Sequence, residues 1–204
     1  MRAPAKLFLV SSNPGKLAEY RVLAEASAPS FPVELALLPE FDEVPAFEEN
    51  APTFAENAAG KALHYSRLSD GLVFADDSGL VVTALGGAPG IHSARYAGPR
   101  ATNSQRIEKL LSEMRGKTGS ERAAYFVCAI ALAERGRALA IVTGRVDGEI
   151  LEAPRGSGGF GYDPVFYIPA LEKSFAEIPA EEKNQRSHRG KAFRRLLAAL
   201  SSML

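Results

Sequence analysis

The stretch that most limits how this chain can fold is Leu72-Val-Phe-Ala-Asp-Asp-Ser-Gly-Leu-Val-Val82, two short apolar runs that meet at adjacent carboxylates followed by Ser78 and Gly79. Leu72 to Ala75 has the composition of a buried strand, and Leu80 to Val82 is either its continuation or its return. Successive strand side chains point to opposite faces, so Asp76 and Asp77 part company: one can face a cleft while the other ties down backbone. Two anions this close raise each other's energy unless a cation stands between or beside them, and a hard divalent ion such as Mg²⁺ would relieve that cost. Asp, Ser and Gly are equally ordinary turn formers, so a polar hairpin turn is the competing expectation.

Upstream, Lys6-Leu-Phe-Leu-Val10 reads as a strand that runs into Ser11, Ser12, Asn13, Pro14, Gly15 and Lys16, and then into a helix with Leu17, Tyr20, Leu23 and Ala24 at helical spacing. Such a loop offers hydroxyls, an amide, backbone N–H groups and a lysine at a helix N-terminus, where the helix dipole favours phosphate. It lacks the longer Gly-x-x-x-x-Gly-Lys-Ser/Thr frame of a Walker A loop, and an ordinary capped helix start is the bland alternative. Val33 to Leu38 is a second expected strand, followed by an acidic stretch holding Asp42, Glu43, Glu48 and Glu49. Thr53-Phe-Ala-Glu56 is a capping box opening a helix with Phe54, Ala58, Ala62, Tyr65 and Leu68 in register. That helix sets Asn57 and Lys61 four residues apart on one face, near its start.

Beyond the central stretch, Gly86 to Gly90 is a glycine-dense loop and Thr102 caps a helix carrying Ile107, Leu110, Leu111 and Met114, closed by Gly116. Ala123 to Ala133 and Ala138 to Thr143 form a hairpin through Glu134-Arg-Gly-Arg137, with Arg145 to Leu151 extending the second strand. The segment Pro154 to Phe166 is too rich in glycine for a helix or core strand and reads as a loop that lets something approach. In it, Phe160 and Tyr162 can stack on a flat ring and Asp163 can accept hydrogen bonds from ring N–H groups. Finally Lys183, Arg186, His188, Arg189 and Lys191 gather just ahead of an amphipathic helix with Phe193, Leu196, Leu197 and Leu200.

Composition narrows the function classes. The 204 residues suit a single domain, 1–204, with two lobes around a cleft, and there is no internal repeat or linker. With 24 basic and 24 acidic residues, no global field favours nucleic acid or an anionic membrane, so an anionic ligand must be held by local clusters. No signal-peptide core is visible, and the longest apolar run, Ala123 to Ala133, is too short for a membrane-spanning helix. The single cysteine, Cys128, sits inside that run as a small hydrophobe, and a chain with no disulfide framework suits the cytoplasm.

Six motifs in order, Ser11-Ser-Asn-Pro-Gly-Lys16, Thr53-Phe-Ala-Glu-Asn-Ala58, Ala75-Asp-Asp-Ser-Gly-Leu80, Gly87-Ala-Pro-Gly-Ile-His-Ser-Ala-Arg-Tyr96, Gly158-Gly-Phe-Gly-Tyr-Asp-Pro164 and Ser187-His-Arg-Gly-Lys-Ala192, closely resemble the inosine/xanthosine triphosphate pyrophosphatase family. The resemblance implies an α/β fold with a long mixed central sheet, a homodimer, and Mg²⁺-dependent hydrolysis of non-standard purine nucleoside triphosphates to monophosphate and pyrophosphate. By position it puts the triphosphate loop on Ser11 to Lys16, metal-binding acids on Glu48 and Asp77, and the proton acceptor also on Asp77, with Ser78 touching substrate. Glu49, adjacent to Glu48, competes for the metal role, and Asp76 is second to Asp77 as base. Base and sugar contacts fall on Phe160, Gly161, Tyr162, Asp163, Lys183, His188 and Arg189. A related pyrophosphatase preferring modified pyrimidines or other triphosphates, and a catalytically silent nucleotide-binding module, remain the alternatives. The expectation that decides among structures is that Glu48, Glu49 and Asp77 lie near Lys16 and Arg189.

Overall fold

The computed structural model describes residues 4–11, 14–27, 31–39 and 41–203. In chain order its elements are β1 (Ala5–Val10), α1 (Pro14–Ser27), β2 (Val33–Leu37), α2 (Phe54–Ser66), β3 (Leu72–Val82), α3 (Asn103–Glu113), β4 (Ala123–Glu134), β5 (Arg137–Ile150), β6 (Phe166–Ile168), β7 (Lys173–Ser174), α4 (Ala180–Arg186) and α5 (His188–Met203). The strands make one mixed sheet in the order β2-β1-β3-β4-β5-β6-β7. β1 pairs in parallel with both β2 and β3, whereas β5–β6 and β6–β7 are antiparallel.

The central stretch is one continuous strand of eleven residues, not a hairpin with a turn at the carboxylates. The turn chemistry of Asp-Asp-Ser-Gly loses because burial on both sides of the sheet holds the backbone extended. The hairpin expected after Glu134 is present between β4 and β5, where Arg135 and Gly136 both take positive φ, 47° and 76°. Left-handed backbone at two central residues is the type I′ geometry whose twist matches that of paired strands.

The chain folds as two compact units. The first holds residues 1–77, 128–144 and 189–204, and the second holds 78–127 and 145–188. In the first unit the strand alternation sorts side chains into two cores. Leu7, Leu9, Phe74, Cys128, Ile130 and Leu132 join Tyr20 and Leu23 of α1 and Phe193, Leu196 and Leu200 of α5. Val10, Val73, Ala75, Ala129, Ala131 and Ala133 join Ala58, Ala62 and Tyr65 of α2. Helices on both faces explain why these strands read as unbroken apolar runs. The alanines at 129, 131 and 133 leave room for α2 to sit close to the sheet.

In the second unit Leu80, Val82, Phe126, Ile150 and Phe166 pack with Ile107 and Leu110 of α3 and with Met114, which caps its C-terminus. Both anticipated caps are present: Thr53 Oγ1 accepts from the Glu56 N–H, and Thr102 and Gln105 form a reciprocal capping box. The basic C-terminal cluster is not one helix start. Ser187, extended at φ −64° and ψ 156°, ends α4 before α5 begins. No helix among the described residues is long and apolar enough to cross a membrane.

Candidate active site

Asp76 and Asp77 end the first unit's share of β3, and the pleat sends them to opposite faces. Asp76, one per cent exposed, points to the face covered by α1 and α5. Its Oδ1 accepts from Lys16 Nζ at 2.9 Å, and its Oδ2 lies 3.5 Å from Arg189 Nε. Arg189 in turn donates to Glu19 Oε2 at 2.7 Å. Burial alone would raise the Asp76 carboxyl, but Lys16, Arg189 and Lys61 together hold it below the ordinary carboxylate range.

Asp77 points to the α2 face, where Asn57 Nδ2 donates to its Oδ2 at 3.0 Å. Here the surroundings act the other way. Burial and the charge of Glu49 push its carboxyl up to about 6, against the lowering pull of the Asn57 hydrogen bond and of Lys61. One strand therefore carries two neighbouring acids tuned in opposite directions, one locked as an anion and one poised near neutrality.

Lys61 joins the two halves. Its ammonium pairs with Glu49 Oε1 and donates to the backbone carbonyl of Asp76 at 3.4 Å. Burial opposes its charge, yet Asp76 and Glu49 more than offset that and raise its pKa. Of the two adjacent acids, Glu49 belongs to this network. Glu48 is exposed and accepts from Asn50 Nδ2 at 2.9 Å. Lys16, Arg189, Asp76, Asp77 and Glu49 thus join one network through Lys61, and Glu48, expected beside them, points to solvent. Ser11 is buried at the end of β1, while Ser12 and Asn13 lie outside the described residues, and of Pro14 and Gly15 only the place in α1 is described.

The second unit holds the glycine-rich loop. Phe160 is 52% exposed, and Lys183 Nζ lies over its ring, 4.8 Å from the centroid. Asp163 is buried and turned inward, its Oδ2 accepting from the Phe160 N–H at 2.7 Å and from Lys183 Nζ. The packing is tight: a Cβ on Gly159 would stand 2.1 Å from that oxygen, and Gly159 and Gly161 both need positive φ. Asp163 accordingly braces the loop. Tyr162, the other aromatic of this loop, is largely enclosed. It is 3% exposed within the core, and its hydroxyl donates to the Ser93 carbonyl at 2.9 Å.

Ser93 also accepts from the Leu80 N–H at 2.9 Å, which ties the Gly90–Arg95 turn to β3 two residues past Ser78. Ser78 itself is half-buried within β3. His188 stacks on Phe126 at 4.7 Å and 11°. His188 and Arg189, paired in the sequence reading as base contacts, are divided: His188 belongs to the second unit and Arg189 to the first.

Five participants carry little or no local signal in the sequence. Asn57 and Lys61 were visible only as a helix face, and Asp76 only as a companion to Asp77. Glu19 was missed, although its place three residues after Lys16 on α1 puts both on one face. Ser93 carried no signal beyond its place in a glycine-rich motif.

The chain is similar to proteins of known family over nearly its whole length. It is 49% identical over 191 residues to the dITP/XTP pyrophosphatase of Geobacillus kaustophilus, covering 94% of this chain and 92% of that one. It is 48% identical over 195 residues to the dITP/XTP pyrophosphatase of Gloeobacter violaceus, covering 96% and 94%. The structure of a HAM1 protein from Coxiella burnetii superposes with a TM-score of 0.85 at 40% identity, covering 97% of this chain and 99% of that one. The Ham1 family model matches residues 7–199. With that match spanning both units, from the first strand to the last helix, the chain belongs to the Ham1 family.

Proposed function

We propose that this chain hydrolyses non-standard purine nucleoside triphosphates, ITP, dITP and XTP, to the monophosphate and pyrophosphate. The observation that carries the reading is the pair of oppositely tuned acids on β3, Asp77 poised near neutrality beside Glu49 while Asp76 anchors Lys16. The dITP/XTP pyrophosphatase activity in the names of its relatives supports it.

Asp77 orients a water and takes its proton as the oxygen attacks the α-phosphorus, with pyrophosphate leaving in line; positioned base help of this kind contributes roughly 10²–10⁴ in rate. Lys16 and Lys61 meet phosphate oxygens. Asp76 is the fixed counter-charge that keeps Lys16 extended, so it is a poor proton acceptor. We assign reading of the base to Phe160, stacking on it, and His188, facing O6. A hypoxanthine or xanthine O6 suits a donor that adenine's amine would oppose, and buried polar pairing of this kind discriminates by about 10⁴ or more.

The family resemblance implies a divalent metal, Mg²⁺ in this proposal. Among the described residues no three His, Cys, Asp or Glu side chains form a ready-made metal site. Mg²⁺ is commonly held by one or two carboxylates together with substrate phosphates, and Glu49 with Asp77 fits that donor set. Glu48 is the second choice because it is exposed and, unlike Glu49, its charge is not among those acting on Asp77. The charge of Glu49 raises Asp77, and a bound cation would relieve that repulsion. When bound, it would neutralise charge on the phosphate oxygens. The proposal also takes residues 1–204 as one catalytic domain, working in the cytoplasm as a homodimer.

The test is hydrolysis of a panel of purine and pyrimidine triphosphates with Mg²⁺ in ¹⁸O-water. Label is expected in IMP and XMP, with ATP, GTP and the pyrimidines turned over far more slowly. Label in orthophosphate would mean attack at the γ-phosphorus and end the proposal, and binding without turnover would leave a silent nucleotide module.

A further inference from the structure

The acidic segment before α2 is held against that helix in a regular register. At its start, His64 Nε2 lies 3.0 Å from the Pro45 carbonyl, and the Phe47 N–H donates to the Tyr65 hydroxyl at 3.3 Å. One helical turn back, Lys61 takes Glu49. One more turn back, Asn57 Oδ1 accepts from the Ala51 N–H at 2.9 Å while its Nδ2 reaches Asp77. Helix positions 65, 61 and 57 therefore meet segment positions 47, 49 and 51, running in opposite directions. The match is physical: four helical residues advance about 6 Å, within the reach of two residues of chain, at most about 7 Å.

Burial follows the same alternation. Phe47, Glu49 and Ala51 are partly covered, whereas Glu48 and Asn50 are exposed and bonded to each other. A tight turn, the Asn50 N–H donating to the Glu48 carbonyl at 3.0 Å, centres on Glu49. The register also has a steric stop: the Phe47 ring fills the space over Gly60, where a Cβ would stand 2.5 Å from its Cζ. A slip of one residue would turn Glu48 inward in place of Glu49.

We propose that α2 is a ruler for the acidic segment, with Asn57, Gly60 and Tyr65 as positioning residues that fix its register and so select Glu49, and not Glu48, as the acid held beside Asp77. The purpose assigned to the ruler, presenting that pair to a divalent cation, rests on the proposed function. The register itself does not.

Two variants alter the ruler without touching either acid. Tyr65→Phe removes the hydroxyl that receives the Phe47 N–H, and Gly60→Ala puts a methyl where the ring tip lies while adding helix propensity. Amide exchange of residues 47–51 is measured on the full metal-free chain, Mn²⁺ binding is followed by electron paramagnetic resonance without nucleotide, and thermal midpoints are recorded alongside. The expected result is at least tenfold faster exchange at Phe47 in Tyr65→Phe and at Ala51 in Gly60→Ala. Mn²⁺ affinity falls at least fivefold in both, with the midpoint of Gly60→Ala unchanged or raised. Adding Phe47→Leu to Gly60→Ala, which shortens the displaced side chain, restores most of the affinity. Unchanged exchange, or faster exchange with unchanged Mn²⁺ affinity, overturns the ruler, and no Mn²⁺ binding by the unaltered chain overturns the purpose assigned to it while exchange still decides the register. An unaltered chain that binds Mn²⁺ but leaves ITP intact overturns the proposed activity and leaves the ruler to be judged by the other two measurements.

Discussion

Replacing Asp76 by asparagine tests the claim that this carboxylate is a structural counter-ion and not the base. Asp76 is fully buried between Lys16 and Arg189. Removing one partner of a buried ion pair costs about 3–5 kcal/mol, because the remaining charge loses its compensation. Two features place this site at the lower end: the Lys16 side chain is 23% exposed, and Arg189 keeps Glu19. A loss of about 3 kcal/mol in a chain of this size corresponds to a fall of about 6–12 °C in Tm. The pH dependence has a definite sign. A carboxyl held below its ordinary value of 3.8 contributes stability that is fully present above that value and is lost as pH falls through the folded-state value. Calorimetry of both proteins between pH 7 and pH 3 should therefore show a wide gap at neutral pH that narrows in acid. A gap of constant width, or an Asp76→Asn protein as stable as the parent at pH 7, would refute the assignment of Asp76 as a buried anion held by cations.

Further outcomes follow from the same geometry. Asp77→Asn should lose 10²–10⁴ in kcat while keeping the fold. Its parent carboxyl is raised to about 6, so the protonated group stabilises the fold below 3.8 and that contribution disappears as pH rises through 6. In metal-free buffer at pH 8 the asparagine protein should therefore be more stable than the parent by about 2–3 kcal/mol, and chemical denaturation showing no gain would contradict the raised value. Glu49→Gln should weaken Mg²⁺ activation at least tenfold more than Glu48→Gln, read from rates across a Mg²⁺ titration; equal effects would reopen the choice. Phe160→Ala should raise KM for ITP by roughly 5- to 150-fold, the worth of about 1–3 kcal/mol of base stacking, with kcat little changed. Tyr162→Phe should cost about 1 kcal/mol of stability through the lost bond to Ser93, measured by urea unfolding.

Much of the fold was legible because it rests on local periodicity and caps. The run from Lys6 into a helix, the Thr53 and Thr102 caps and the hairpin at Arg135-Gly136 each depend on residues within a few positions of one another, and each formed near its expected bounds. The opposite facing of Asp76 and Asp77 was also contained in the sequence, since a strand has a period of two and the strand was recognisable.

Partner choice was not contained there. Lys16 and Asp76 are 60 residues apart and Glu19 and Arg189 are 170 apart, so no local pattern pairs them. Glu48 and Glu49 are chemically alike, and only the packing of Phe47 against Gly60 and of Ala51 against Asn57 separates the inward acid from the outward one. For Asp163 and Tyr162 the sequence shows only that their chemistry permits hydrogen bonding; that they are buried and bonded to Phe160, Lys183 and Ser93 is decided by packing. Sequence thus determined which groups this chain possesses and the secondary structure that carries them. Tertiary packing decided which charges meet and which lose water, and for ionisable groups those two conditions set the chemistry.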